Sequence, residues 1–422
     1  MTMPRIGFAG MTHLGLVSAA GAAEKGFAVV AFDPGPGTAA ALARGKFSVL
    51  EPELPELVQR NAPRLRFTAE LSDLADCDVV YVAPDVPTDD LGQSDLAPLC
   101  RLLDSIEGAL SDRAVTVILS QVPPAFTRGR WRADRALYYQ VETLVFGRAV
   151  ERTLNPERFI IGCADPAAPL PAAYGDYLAR YGCPVLPMRF ESAELAKISI
   201  NMCLVASVSV ANMMAELCER IGADWAEIMP SLRLDRRIGA YAYLSPGLGI
   251  AGGNLERDIA TVFRLAERSG SDVGTAHAWV ANSRHRRRWP LRLLHETVLS
   301  RDANAAIAVL GLAYKEDTAS TKNSPALALL ADLSPFAVRV YDPAVAASPE
   351  WHPNLAQAPS ALAACEGVQA VAIMTPWREF RDIDPRALAR RMAGNTVLDP
   401  YRMLDAAGCR AAGLEYATLG VT

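Results

Sequence analysis

Gly10 and Gly15 bracket six residues, Gly10-Met11-Thr12-His13-Leu14-Gly15, that lie between an apolar run and a helix-forming one. Where a strand turns into a helix, the first backbone N–H groups of the helix lack partners and attract an anion such as a pyrophosphate. Gly10 can make the tight turn and Gly15 lets the helix pack closely on the strand, the pattern of a dinucleotide site written GxGxxG. The middle glycine is replaced by Thr12, whose side chain is expected to crowd the pyrophosphate or to offer it a hydroxyl. Asp33 ends the next apolar run, about 20 residues on, where a carboxylate can bind both ribose hydroxyls. It would also repel a 2′-phosphate, so the expected cofactor is NAD and not NADP. The competing reading is that Asp33 only caps the turn that Pro34 and Gly35 make in any case. The residues expected at the cofactor are Gly10, Thr12, His13, Leu14, Gly15 and Asp33.

The five histidines show no metal-ligand spacing, and no metal is expected. Eight cysteines (Cys77, Cys100, Cys163, Cys183, Cys203, Cys218, Cys365 and Cys409) are scattered without a CxxC pair. That is how a reduced, cytoplasmic protein uses cysteine, as a small apolar residue.

The elements that must hold the turn follow from apolar periodicity. Residues 4–10 read as a buried strand, Leu14 to Lys25 as a helix closed by Gly26, and Ala28 to Phe32 as a second strand. Cys77 to Val82 and Val115 to Leu119 are further β-rich runs separated by helix-length segments, which implies a parallel sheet with helices on both faces. The same grammar returns later: Ala305 to Leu310 leads to Gly311, Pro325 to Leu333 is helical, and Val338 to Tyr341 ends at Asp342. Val368 to Met374 and Thr396 to Leu398 complete that second unit. Between the two, Ser192 to about Gly222 reads as one long helix with apolar residues on more than one face.

At 422 residues the chain is too long for one core. With 51% hydrophobic and 21% charged residues and a net charge of −5, it has the balance of a soluble globular protein and no basic stripe for nucleic acid. His285-Arg286-Arg287-Arg288 is locally basic and reads as a solvated helix face, or else as a patch for a phosphate-bearing ligand. The N-terminus, from Met1 to Arg5, carries no signal-peptide pattern. Ile198 to Met214 is apolar but interrupted by Ser and Asn, so a buried helix is expected there and no membrane span.

Motifs along nearly the whole chain resemble those of the UDP-glucose/GDP-mannose dehydrogenase family. Glu51-Pro52 and Ser120-Gln121-Val122-Pro123-Pro124 (similar to the family's STVPP) precede Leu154-Asn155-Pro156-Glu157-Arg158 (its LNPxR). Ala193-Glu194-Leu195-Ala196-Lys197 and Asn201 resemble its AEL-x-K-x-x-x-N helix. Pro246 to Asp258, reading PGLGIAGGNLERD, sits where the family has PGxGxGGSCxPKD. Gly311-Leu312-Ala313-Tyr314-Lys315, Ser324-Pro325 and Thr375-Pro376-Trp377-Arg378-Glu379-Phe380 complete the order. The resemblance implies an α/β fold of two Rossmann-like doubly wound domains joined by a long central helix and a helical middle domain. The expected bounds are 1–190 for NAD binding, 191–298 for the helical, dimerising middle and 299–422 for the nucleotide sugar.

The family oxidises the C6 alcohol of a nucleotide sugar twice. Lys197 and Asn201 are four apart on a helix, so both can point at one substrate oxygen. The resemblance implies that they and Asp258 organise that oxygen or a water. Glu142 aligns with a family glutamate that acts as a base or sugar contact, although its neighbours do not match, and a surface carboxylate is the alternative. Gln121 and Lys322 fall near the cofactor, Lys322 replacing an arginine whose fork it cannot reproduce. Gly249, Gly252, Gly253 and Lys315 fall at the substrate, a UDP- or GDP-linked hexose. Arg237 matches an arginine that reaches a neighbouring subunit's substrate, so a homodimer or larger assembly through the long helix is expected.

One catalytic group is missing. The second oxidation in the family starts with a cysteine thiolate attacking the C6 aldehyde, and that position is Asn254, which offers no nucleophile. On an ideal helix Cys203 points about 240° away from Lys197, and Cys218 is roughly 31 Å further along. Three functions remain: an NAD-linked oxidoreductase that stops at two electrons or returns the hydride, as an epimerase or dehydratase does; a four-electron dehydrogenase working through an aldehyde hydrate; and a non-catalytic sugar-nucleotide-binding homologue.

Overall fold

In the computed structural model, residues 3–89 and 92–421 are described, so Met1 and Thr2 of the expected leaderless N-terminus lie outside them. Two compact units emerge, Met1–Ile200 and Asn201–Thr422, the helical middle falling with the second.

The first unit is built on β1 (Ile6–Ala9), β2 (Val29–Phe32), β3 (Leu65–Thr68), β4 (Val79–Val82), β5 (Val115–Ile118), β6 (Ala136–Gln140), β7 (Phe159–Cys163) and β8 (Val185–Arg189). Their order is β3-β2-β1-β4-β5-β6-β7-β8. The strands are nearly continuous apolar runs because both faces are buried. Val29, Ala31, Val79 and Tyr81 enter one core layer, while Val30, Phe32, Val80 and Val82 enter the other. β1 and β4 run parallel, but strand order reverses between them, the chain winding outward to β3 on one side and to β5 on the other, which opens a crevice at the strand ends where dinucleotide folds bind their ligand.

Two strands depart from the expected parallel sheet: β7 runs antiparallel to β6, with Tyr139 opposite Gly162, and β8 follows β7 in parallel. The intervening segment does not cross the sheet as a βαβ helix does. Its short helix, Ala149–Leu154, packs instead on the first helix, His13–Glu24, where a Cβ on Gly21 would lie 2.7 Å from Thr153.

The second unit repeats the plan with β9 (Ala306–Leu310), β10 (Ala337–Tyr341), β11 (Leu355–Gln357), β12 (Ala370–Ile373), β13 (Thr396–Leu398) and β14 (Glu415–Ala417). These pair in parallel in the order β11-β10-β9-β12-β13-β14, the dinucleotide-fold order again.

The long helix runs from Phe190 to Ile221, 32 residues, and the boundary between the units falls within it. By length and composition alone it could cross a membrane, yet its buried polar groups are bound by protein loops. Glu194 is fully buried and accepts the N–H groups of Ala125 (2.7 Å) and Thr127 (2.8 Å) in the first unit. In the second, Asn212 accepts the Gly247 N–H at 2.8 Å. The helix is not wholly buried as expected: Val210, Met213, Leu217 and Ile221 form an exposed apolar stripe at intervals of three and four residues.

The basic run at 285–288 is a solvated face only in part: His285 and Arg288 are exposed and Arg287 is half-buried. Arg286 is completely buried and pairs with Glu219 at 2.7 Å and Glu216 at 3.5 Å, tying the long helix to the helix Gly274–Arg287. A buried guanidinium is tolerable only with carboxylates around it, and removing one partner leaves the others uncompensated. Arg286→Ala is therefore expected to destabilise the second unit by about 3 kcal/mol in urea unfolding. A loss near zero would show that the pair is solvated.

Candidate active site

The cofactor turn lies at the C-terminal ends of β1, β2 and β4. Gly10 has φ +90°, and a Cβ there would fall 2.8 Å from the Pro84 nitrogen; a Cβ on Gly15 would fall 1.8 Å from the Gly10 carbonyl oxygen. Both positions therefore admit only glycine. Asp33 is half-buried and takes the Met11 N–H on Oδ2 (2.7 Å) and the Gly35 N–H on Oδ1 (2.8 Å). It caps both turns, as the alternative reading had it, and each oxygen keeps a lone pair for a ribose hydroxyl. This cradle, which a side chain at Gly10 or Gly15 would fill, fits a dinucleotide.

Thr12 turns its hydroxyl onto the loop after β4, where Oγ1 accepts the Asp85 N–H at 2.7 Å. The Asp85 carboxylate in return accepts the His13 backbone N–H at 3.0 Å. Asp85 drew no attention in the sequence, because its partners are 72 and 73 residues away. The His13 side chain points inward: Nε2 lies 2.9 Å from Glu51 and the ring stacks on Phe146 with centroids 4.2 Å apart. Leu14 is buried in the sheet core. Of these two, only backbone groups face the helix end. Gln121, just beyond β5, is half-buried, and its neighbour Ser120 donates to the Pro84 carbonyl at 2.5 Å, joining the ends of β4 and β5.

Also in the first unit, Lys197 Nζ lies 3.2 Å from Glu142, with the side chains 12% and 17% exposed. Glu142 is thus no surface carboxylate but the partner of the expected catalytic lysine. Glu194, one turn before Lys197, fixes the start of the helix through its two backbone bonds. Burial raises its carboxyl pKa, and the Thr127 and Ala125 hydrogen bonds oppose that shift.

In the second unit, Asn201 donates to Asp258 at 2.5 Å, and Arg257 reaches the other Asp258 oxygen at 3.2 Å. All three are buried. Asn254, exposed, is the first residue of the helix Asn254–Ser269. The glycine loop before it needs its glycines. Gly249 (φ +82°) would place a Cβ 2.5 Å from the Ser283 carbonyl, and Gly252 (φ +79°) would place one 2.7 Å from the Tyr314 ring. Gly252 donates to the Lys322 carbonyl at 3.1 Å, and a Gly253 Cβ would meet the Lys322 side chain at 3.6 Å. Gly249, Gly252, Gly253, Lys315 and Lys322 thus belong to two loops in contact, with Lys315 Nζ 5.9 Å from the Tyr314 ring centroid. Arg237 lies elsewhere, 89% exposed and folded onto Asp235 at 2.7 Å.

Glu256 stands where the family motif has proline. Burial raises its pKa against the opposing charges of Arg287 and Lys322, and it accepts from Asn323. Burial pushes the Cys365 thiol up to about 12 and that of Cys409 to about 11, so neither is a thiolate near neutral pH.

A first unit with this strand order and this glycine-and-aspartate turn, followed by a second unit of the same plan, defines a dinucleotide-linked oxidoreductase. The UDP-glucose/GDP-mannose dehydrogenase family matches the chain in three consecutive parts: its NAD binding domain over residues 4–174, its central domain over 191–283 and its UDP binding domain over 308–406. The chain belongs to that family, and it is an NAD-dependent oxidoreductase of the nucleotide-sugar dehydrogenase type acting on CH–OH groups. It is 30% identical over 437 residues to a UDP-glucose 6-dehydrogenase of Pseudomonas aeruginosa, covering 97% of this chain and 96% of the relative. Identity is 31% over 432 residues to the UDP-glucose 6-dehydrogenase AglM of Haloferax volcanii, with coverage of 97% and 98%. Among solved structures, a UDP-glucose dehydrogenase from Pyrobaculum islandicum is similar at TM-score 0.82 and 26% identity, covering 94% of this chain and 98% of that one.

The His13–Glu51 pair generates a pH prediction. Burial pushes the Glu51 pKa up, but hydrogen bonds from His13 and from the Ala149 and Gly147 N–H groups outweigh it, so the carboxyl titrates below its usual range. A depressed carboxyl stabilises the fold above the unfolded value of about 4.3, and that stability is lost as pH falls through the folded value. Glu51→Gln should cost about 2 kcal/mol near neutral pH, with the gap to wild type closing on acidification. A gap that stays constant in pH-dependent urea melts would contradict an ionised Glu51.

Proposed function

We propose that the chain oxidises the C6 carbinol of a UDP-linked hexose and stops at the two-electron level or returns the hydride. The observation that carries this reading is Asn254, which opens the helix Asn254–Ser269 where the family has its nucleophile, while Lys197, Asn201 and Asp258 remain in ordered, largely buried pairs. NAD, when bound, supplies the hydride acceptor. Lys197, with Glu142 at its ammonium, stabilises the alkoxide that forms as the hydroxyl proton leaves. In the second unit Asn201 donates to Asp258 and keeps a second N–H to offer a ligand. The UDP binding domain match and the relatives' names support a UDP-linked sugar over a GDP-linked one. Those names also favour the runner-up, a four-electron reaction in which an aldehyde hydrate gives up the second hydride.

With UDP-glucose and other UDP-hexoses, absorbance and sugar analysis should give at most one NADH per sugar consumed. Lys197→Ala should abolish turnover, and Asn254→Cys should yield some uronate. Two NADH per sugar from the unmodified protein would overturn the two-electron reading.

The exposed stripe Val210, Met213, Leu217 and Ile221 supports a second proposal, a homodimer formed through the long helix. A charge there would be buried unpaired in such an interface. Light scattering at micromolar concentration should show a dimer for the unmodified chain and a monomer for Leu217→Asp. A monomeric parent protein would contradict it.

A further inference from the structure

We infer that Asp85, latched by Thr12, is a built-in competitor for the pyrophosphate of NAD and sets the affinity of the cofactor site. The inference rests on NAD using the Gly10–Gly15 turn. A pyrophosphate at that turn is held by the first N–H groups of the helix that follows. Here the His13 N–H is already donated, at 3.0 Å, to a carboxylate oxygen of Asp85. A carboxylate is an anion, so Asp85 occupies for itself the position and sign of charge that the phosphate needs.

The side chain is held there from two directions. Its own backbone N–H is tied at 2.7 Å to Thr12 Oγ1, a hydroxyl that exists only because threonine replaces the middle glycine of the turn. The loop after β4 and the start of the first helix are therefore latched together across the cradle. Cofactor entry must break both bonds, move Asp85 aside and bring two phosphate charges near a carboxylate. Opposite charge nearby does little to relieve this. His13 faces Asp85 but is committed to Glu51, Glu142 faces it with like charge and is committed to Lys197, and Asp33 lies on the far side of the same turn. Burial in the crevice raises the Asp85 carboxyl, with the Thr12 and His13 contacts opposing.

Thr12, in place of glycine, and Asp85 thus act as one device. Each alone would look like damage to the site. Together they exchange a strong cofactor site for one in which binding is coupled to release of the loop after β4.

Calorimetry of NAD and of ADP-ribose against the full chain tests this. Asp85→Asn keeps the shape and removes the charge, and should tighten both ligands about tenfold, the equivalent of one charge-assisted hydrogen bond. Thr12→Gly should also tighten them, and the double variant should gain less than the sum, because both changes open one latch. In the unmodified protein affinity should fall as pH rises through the Asp85 titration, since only the ionised carboxylate repels the phosphates. That slope should be smaller in Asp85→Asn. Equal or weaker binding by Asp85→Asn, or identical pH slopes in the two proteins, would overturn the competitor role. If neither protein binds either ligand at any pH, the cofactor turn itself is misassigned and the inference falls with it. Thermal unfolding of the apo-proteins checks that the variants fold; should both fail, a pH-independent affinity in the unmodified chain still overturns the proposal.

Discussion

Wherever a parallel strand gives way to a helix, backbone N–H groups are left without partners, and a protein of two largely parallel sheets meets this problem repeatedly. This chain meets it largely with carboxylates. Asp33 takes Met11 and Gly35, Glu51 takes Gly147 and Ala149, Glu194 takes Ala125 and Thr127, and Asp342 takes Leu312 and Ala313. A charged acceptor makes a stronger bond than a neutral one and fixes the loop it binds. The functional side chains sit on or beside these loops, so their positions follow from backbone satisfaction.

The two sheets show how one solution diverges. Gly10 and Gly311 both have φ near +90° at the end of the first strand, and Asp33 and Asp342 both end the second. Asp342, however, is buried and also accepts from Ala344, Val345 and the Trp377 indole. Its oxygens have little capacity left for a ribose. Asp33 is half-buried with two bonds, which leaves room for a ligand. The same turn thus keeps acceptor capacity for a ligand in the first unit and is a structural joint in the second.

Local pattern made much of this legible. Apolar runs, turn glycines and the acid at the second strand end placed β1, β2, β4, β5 and the first helix to within a few residues, and motif order located the lysine, asparagine and aspartate. What escaped the sequence depends on partners far apart in the chain. Arg286 reads as part of a basic surface until Glu216 and Glu219 are found beneath it. His13 reads as a turn residue until Glu51 and Phe146 enclose it. The antiparallel course of β7 follows from where the helix Ala149–Leu154 packs, which no local periodicity records. Asp85 carries no motif at all, and only its bond to the His13 N–H reveals what it does.

The account depends most on Asn254 standing where a thiolate would be, on a scaffold that keeps the alcohol-oxidising groups in place. Its central claim is therefore about the oxidation state of carbon six. The most direct measurement is the mass of the sugar nucleotide recovered after prolonged incubation of the unmodified protein with UDP-glucose and NAD in deuterated water. The account predicts a product lighter by two hydrogens, its hydrate, or unchanged sugar carrying deuterium at C5. A product that has gained an oxygen as a stable carboxylate would contradict it.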